Sequence, residues 1–77
     1  MTTLSGIKSR DIIKVALKLG FRFRTQSGSH AVYTHTDGRK TTIPIHPSQT
    51  IGIGLLTKII KKDFGISKKD FIALTKK

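Results

Sequence analysis

The sequence predicts an α+β fold of two layers, in which helices cover one face of a three-stranded antiparallel sheet. Three observations support this: apolar residues at helical spacing near both ends of the chain, alternating apolar and polar residues between them, and glycine-containing turns that join the alternating segments. Short turns join antiparallel neighbours, so the predicted order is helix, three strands, helix, short helix. Residues 1–77 are expected to form one small domain.

The first helix is predicted to lie between Ser9, its N-cap, and Gly20. Asp11 falls in the first turn, where a negative charge stabilises the positive end of the helix dipole. Its apolar stripe contains Ile12, Ala16 and Leu19, with Ile13 and Leu17 beside it. Gly20 is expected to end the helix as the C′ residue, a position that favours glycine.

Three strands are predicted between the helices. Phe21–Thr25 alternates apolar and basic residues, which indicates a half-buried strand with its arginines in solvent. The second strand, His30–Thr36, contains Val, Tyr and Thr, and the third is Lys40–Ile45. Pro44 cannot donate a ladder hydrogen bond, so that end of the third strand is expected at an edge or at the strand's exit.

Two short turns connect the predicted strands into an antiparallel meander. Ser27-Gly28-Ser29 joins the first strand to the second. Asp37-Gly38 lies between the second and third strands, and this dipeptide favours a type I′ turn.

Two helices are predicted after the sheet. The longer one starts at about Gly54 or Leu55 and ends at Phe64, with Leu56, Ile60 and Phe64 spaced four residues apart on one side. Ser67-Lys68-Lys69-Asp70 resembles a capping box and predicts a short C-terminal helix. Phe71 and Leu74 would anchor that helix to the rest of the domain.

Charge is the strongest indication of function. The chain has 15 lysines and arginines, four aspartates and no glutamate, a net charge of +11. This predicts an anionic partner, nucleic acid before an acidic protein, with a membrane last. The sequence has no cysteine, no apolar run of a signal peptide and no segment long enough to span a membrane. A cytoplasmic protein is therefore expected.

Basic residues are the predicted contacts for RNA, because ammonium and guanidinium groups displace counterions from phosphates. The candidates lie on the first strand, at the second hairpin and along the second helix: Arg22, Arg24, Arg39, Lys40, Lys58, Lys61 and Lys62. Gly28 and Ser29 are added to this set, since Ser29 is expected to shape the turn or to touch a phosphate.

His30 is the candidate catalytic residue. An imidazole titrates near neutral pH, so at an exposed strand start it could remove the proton of an RNA 2′-hydroxyl. Attack on the adjacent phosphorus would then need no metal, while Lys or Arg neutralises charge on the phosphoryl oxygens. The leaving 5′-oxygen needs an acid, for which the sequence leaves His46, Tyr33 and Lys40 open.

A metal site is not predicted. His30, His35, His46 and Asp37 could collect around an ion, but their spacing matches no structural zinc pattern. The four aspartates are scattered and form no pair for acid–base chemistry. We therefore expect no metal and no other cofactor.

These residues resemble the HicA family of mRNA interferase toxins. The similarity comprises Leu19-Gly20-Phe21, Gly28-Ser29-His30 with Tyr33, Asp37-Gly38-Arg39, Ile43-Pro44-Ile45-His46, and Gly54-Leu55-Leu56 leading into Ile59-Ile60. The resemblance implies a fold similar to the double-stranded-RNA-binding domain. It also implies ribonuclease activity on mRNA with His30 as the essential residue, and inhibition by a HicB-type antitoxin that covers the active site.

Two hypotheses follow. In the first, the chain is a toxin of a type II toxin–antitoxin system, a metal-independent endoribonuclease that cleaves mRNA and inhibits translation and growth. In the second, it is a non-catalytic double-stranded-RNA-binding module that uses the lysines of its second helix. The expected partners are mRNA and the antitoxin, and the free protein is expected to be monomeric.

Overall fold

A computed structural model of the chain describes residues 6–45 and 49–76. The elements are α1 (Ser9–Lys18), β1 (Arg22–Ser27), β2 (His30–Thr34), β3 (Lys40–Pro44), α2 (Ile53–Lys58), a π-helical segment (Ile59–Phe64) and α3 (Lys68–Thr75). The strands form one antiparallel sheet in the order β1-β2-β3, and the helices pack on it. The predicted two-layer α+β architecture is confirmed. No helix in the described ranges is long and apolar enough to cross a membrane.

The N-cap of α1 is Lys8, and the prediction of Ser9 was wrong. Lys8 has an extended backbone, and its N–H donates to Asp11 Oδ2 at 2.9 Å. Asp11 therefore satisfies one of the free N–H groups at the helix start, which leaves Ser9 available for another contact. Ser9 is buried in the first turn, where its hydroxyl donates to the Pro44 carbonyl and ties α1 to the end of β3.

The buried stripe of α1 differs in part from the predicted one. Ile12 and Ala16 of the predicted stripe are fully buried, and Leu19 packs partly buried against the core. Val15, which was not predicted, is also fully buried, and Leu17, predicted beside the stripe, is 54% exposed. Gly20 ends the helix as expected: its φ is +99°, and its N–H donates to the Leu17 carbonyl at 3.1 Å. The helix therefore packs through Val15 as well as Ile12 and Ala16, while Leu17 lies outside the core.

The two faces of the sheet differ in burial. Ala31, Tyr33, Thr41 and Ile43 are buried under the helices. Residues directly opposite each other on paired strands project to the same side of the sheet. The register therefore identifies the residues on the side away from the helices, which we call the open face. Its three rows are Ser27–His30–Pro44, Thr25–Val32–Thr42 and Arg22–Thr34–Lys40.

The sequence predicted a half-buried first strand, but this strand is exposed. All six residues of β1 are exposed, including Phe23 at 56%. Phe21, predicted as the start of the strand, precedes it and is buried. A shift of register between Phe23 and Thr25 interrupts the alternation. Both β1 and β3 are edge strands, but α1 and the π-helical segment pack on β3, so the helical layer leaves β1 more exposed.

Both turns differ from their predicted form. The β1–β2 turn contains only Gly28 and Ser29, because Ser27 pairs with His30 as the last residue of β1. A type I′ turn at Asp37-Gly38 needs positive φ at both residues, but only Gly38 has it, at +97°. The Gly38 N–H donates to the His35 carbonyl, which gives a three-residue loop with glycine in its last position.

The C-terminal helices follow the predicted apolar spacing. Leu56, Ile60 and Phe64 are fully buried, although the second half of the predicted helix is the π-helical segment. Ser67 caps α3 by accepting the Asp70 N–H at 3.0 Å, as predicted. Lys14 and Lys18 of α1 donate to the Thr75 and Leu74 carbonyls at the other end of α3, which fixes the two helices side by side.

Candidate functional site

The open face is a shallow surface without a large apolar side chain at its centre. Its middle row is Thr25, Val32 and Thr42, and of these only Val32 is partly buried. The middle of this face therefore consists mostly of short polar side chains. The face therefore offers access from solvent to the residues at its ends.

His30 lies at one end of this face. It is the first residue of β2 and is exposed, with Ser27 opposite it on β1 and Pro44 opposite it on β3. The two-residue turn fixes this arrangement, because it makes Ser27 and His30 direct neighbours across the hairpin. Ser27 was missed as a site residue, yet a two-residue Gly-Ser turn would have placed its hydroxyl beside the imidazole.

The three groups proposed as the second acid are distributed differently. Tyr33 is buried on the helix-covered side, three residues from His30, so the two side chains project from opposite faces of β2. Lys40 shares the open face with His30 but belongs to the row of Thr34, about 13 Å along the strand. His46 lies outside the described residues. Neither Tyr33 nor Lys40 is brought next to His30.

The predicted RNA-binding cations divide between two surfaces. Arg22 and Lys40 flank Thr34 in one row of the open face, and Arg24 is exposed at the irregularity in β1. The remaining three lysines, on α2 and the π-helical segment, are exposed on the helical layer: Lys58, Lys61 and Lys62. The structure therefore groups Arg22 and Lys40 with His30 on one face and places the helix lysines in the other layer.

Arg39 has contacts that hold it in the protein. Its guanidinium donates to Asp37 Oδ2 at 2.8 Å and to the Phe64 carbonyl. Its Cζ lies 5.1 Å from the centre of the buried Phe21 ring. The predicted role of Arg39 in RNA binding remains a prediction, and the contacts give it a structural role that the sequence did not reveal.

Asp37 is the centre of the β2–β3 loop. The Arg39 backbone N–H donates to Oδ1 at 3.0 Å, and this bond, together with the Arg39 guanidinium and His35, lowers the pKa of Asp37 below its ordinary value of 3.8. The Asp37 N–H in turn donates to His35 Nδ1 at 3.1 Å. The carboxylate is thus committed to the loop, which fits a structural role and not a catalytic one.

A family model described as the HicA toxin of bacterial toxin–antitoxin systems matches residues 9–66 of the chain. The chain belongs to the HicA toxin family. Comparison with curated proteins gives no significant match. The match to the HicA family extends from the start of α1 to just beyond the π-helical segment, so it includes the whole sheet and the open face.

Membership of the HicA family establishes a toxin role in a toxin–antitoxin system and implies a cognate antitoxin as partner. His30, Ser27 and the cations of β1 and β3 all lie within the matched range. Among the described residues of this HicA-family protein, no three histidine or aspartate side chains come together in a way that could hold a metal ion.

Proposed function

We propose that this HicA-family toxin is an endoribonuclease that binds mRNA on the open face and cleaves it with His30, inhibiting translation in the cytoplasm. One observation carries the proposal. His30 is exposed at the end of a shallow polar face that also presents Arg22 and Lys40. An imidazole that solvent and a phosphodiester can both reach, on a protein of charge +11, suits acid–base chemistry on RNA.

The chemistry uses the substrate's own nucleophile. His30 removes the proton of a 2′-hydroxyl, and the oxygen attacks the adjacent phosphorus. The new bond joins the 2′-oxygen to phosphorus, and the bond to the 5′-oxygen breaks. Ser27, opposite His30, can donate its hydroxyl hydrogen to a phosphoryl oxygen. The 5′-oxygen takes up a proton, for which we retain His46 as the candidate, because Tyr33 is on the opposite face and Lys40 lies about 13 Å along the strand.

Binding and chemistry are separated on this face. Arg22 and Lys40 lie at the end opposite His30, about 13 Å away along β2. They would therefore contact phosphates further along the strand than the one being cleaved. This separation predicts that loss of His30 abolishes cleavage while affinity for RNA changes little.

The test compares His30→Ala with the wild-type protein on single-stranded RNA. We expect cleavage to fall at least 100-fold, as for the loss of a general base, with RNA affinity within about threefold. Thr34→Ala is the matched control, because it lies on the same strand and face at the far end and should cut normally. Wild-type cleavage should persist in EDTA. Undiminished cleavage by His30→Ala would refute the assignment.

A second candidate function is supported by the exposed Lys58, Lys61 and Lys62 on the helical layer. On a fold similar to the double-stranded-RNA-binding domain, basic residues of a helix could bind the backbone of double-stranded RNA without cleaving it. In that case His30→Ala would leave all measurable activity unchanged, and duplex RNA would bind more tightly than single strands. Cleavage by the wild-type protein decides between the two.

A further inference from the structure

The outer edge of β1 is open to solvent. β1 is first in the order β1-β2-β3, and it pairs only with β2 in the part of the chain that the structure describes. All six of its residues are exposed. The edge therefore presents backbone N–H and C=O groups that can form hydrogen bonds with another strand.

The side chains along this edge combine one apolar group with two charges. Phe23 is 56% exposed, and its ring packs edge to face against Tyr33 with the ring centres 5.7 Å apart. Arg22 and Arg24 flank it and are both exposed. A strand placed beside β1 would cover the free side of the Phe23 ring and meet two guanidinium groups. Such an edge selects an extended peptide that carries acidic residues.

We propose that the edge of β1 binds an extended acidic segment of the cognate antitoxin, which adds to the sheet as a fourth strand. The proposal rests on membership of the HicA family, which implies the antitoxin, and it does not require ribonuclease activity. The added strand would lie about 10 Å from β2, because neighbouring strands are about 4.8 Å apart. It would border the open face without covering His30, so it is a contact separate from occlusion of the active site.

The chemistry of the edge favours a peptide over RNA and over a second copy of the chain. A strand edge alternates donors and acceptors at the spacing of another peptide backbone, whereas the RNA backbone offers mainly phosphate acceptors, with one 2′-hydroxyl donor per nucleotide. Two copies paired through β1 would bring Arg22 and Arg24 close to the same residues of the other copy, at +11 per chain. Like charges discourage that pairing, while the same charges attract an acidic strand.

The direct test is amide hydrogen exchange of the intact chain, alone and in complex with its co-expressed antitoxin. We expect exchange in residues 22–27 to slow at least tenfold in the complex, because an added strand protects the outward-facing N–H groups. Unchanged exchange in this segment would overturn the proposal, as would failure of a complex to form. Protection of the same amides by single-stranded RNA, or in the free protein through self-association, would assign the edge to another occupant and equally overturn it.

Substitution of Phe23 gives an independent test of the proposal. Phe23→Thr should weaken antitoxin binding at least tenfold, since the aromatic surface is lost while a strand-favouring residue remains. Leu17→Thr is the matched control: Leu17 is 54% exposed on α1, away from the edge, and should bind within twofold of wild type. Binding by Phe23→Thr equal to that of the control would contradict the proposal. Because RNA cleavage is a separate measurement, failure here can be told apart from failure of the ribonuclease assignment.

Discussion

Gly20 and His35 lie so close together that a side chain at position 20 would displace the imidazole. A Cβ on Gly20 would lie 2.9 Å from His35 Nε2, and the φ of Gly20 is +99°. The same nitrogen lies 3.0 Å from the Leu19 carbonyl. The imidazole of His35, in the β2–β3 loop, is therefore hydrogen-bonded to the end of α1. The glycine thus ends the helix and also makes room for the residue that joins it to the sheet.

Gly20→Ala should destabilise the fold by about 3 kcal/mol, combining backbone strain with displacement of His35. Gly38→Ala is the matched control: its φ is +97°, but a Cβ there would meet nothing within 4 Å. Strain alone should cost about 1 kcal/mol. Urea denaturation of both variants measures the difference. Equal losses would show that the contact with His35 does not matter.

Arg39→Met should lower the free energy of unfolding by about 2 kcal/mol, because the bonds to Asp37 and the Phe64 carbonyl are lost with the contact to Phe21. Lys40→Met, its exposed neighbour, should change stability by less than about 0.5 kcal/mol. Thermal or urea denaturation measures both. If Arg39→Met is as stable as wild type yet binds RNA less tightly, Arg39 is a phosphate contact, as the sequence had suggested.

Asp37 should make stability depend on pH in the acid range. Its pKa is lowered in the folded protein by the Arg39 N–H and guanidinium and by His35, so folding favours the ionised form. The contribution is complete above the unfolded value, near 3.8, and is lost as pH falls through the lower folded value. Wild type should therefore lose more stability than Asp37→Asn between pH 5 and about pH 2.5. Parallel curves in urea titrations at several pH values would contradict this.

Local sequence patterns predicted the helices and strands, but they did not predict which of their residues are exposed. Spacing placed Leu56 and Ile60 in the core, and glycine chemistry placed the end of α1 at Gly20. Phe23 was misplaced because the alternation in β1 resembles that of any half-buried strand. Burial there depends on which strand lies at the edge and how far the helices reach, and neither is encoded within the strand itself.

In the candidate functional site, too, local sequence patterns predicted some features and long-range contacts decided others. The exposure of His30 followed from its place after a glycine turn, and the opposite orientation of Tyr33 could have been derived from its odd spacing along the strand. The contacts of Arg39 could not have been derived from the sequence, since Phe64 is 25 residues away. Phe64 meets Arg39 only when the π-helical segment packs on the sheet. Long-range contacts of this kind decide whether a cation is available to a ligand.

The division of cations between two layers gives the sharpest test of where RNA binds. Arg22→Gln with Lys40→Gln should weaken binding of single-stranded RNA and reduce the slope of log affinity against log salt by about 1.4, since each lost phosphate contact removes about 0.7. Lys61→Gln with Lys62→Gln is the matched control, because it removes the same charge from the exposed helical layer.

The control pair should lower affinity only through net charge and leave cleavage by His30 intact. Filter binding at several salt concentrations, alongside a cleavage assay, measures both effects. A larger change of slope in the Lys61 and Lys62 pair would place RNA on the helical layer. His30 would then lie away from the bound strand, and the non-catalytic binding function would be favoured, because a general base must be within hydrogen-bond reach of the proton that it removes.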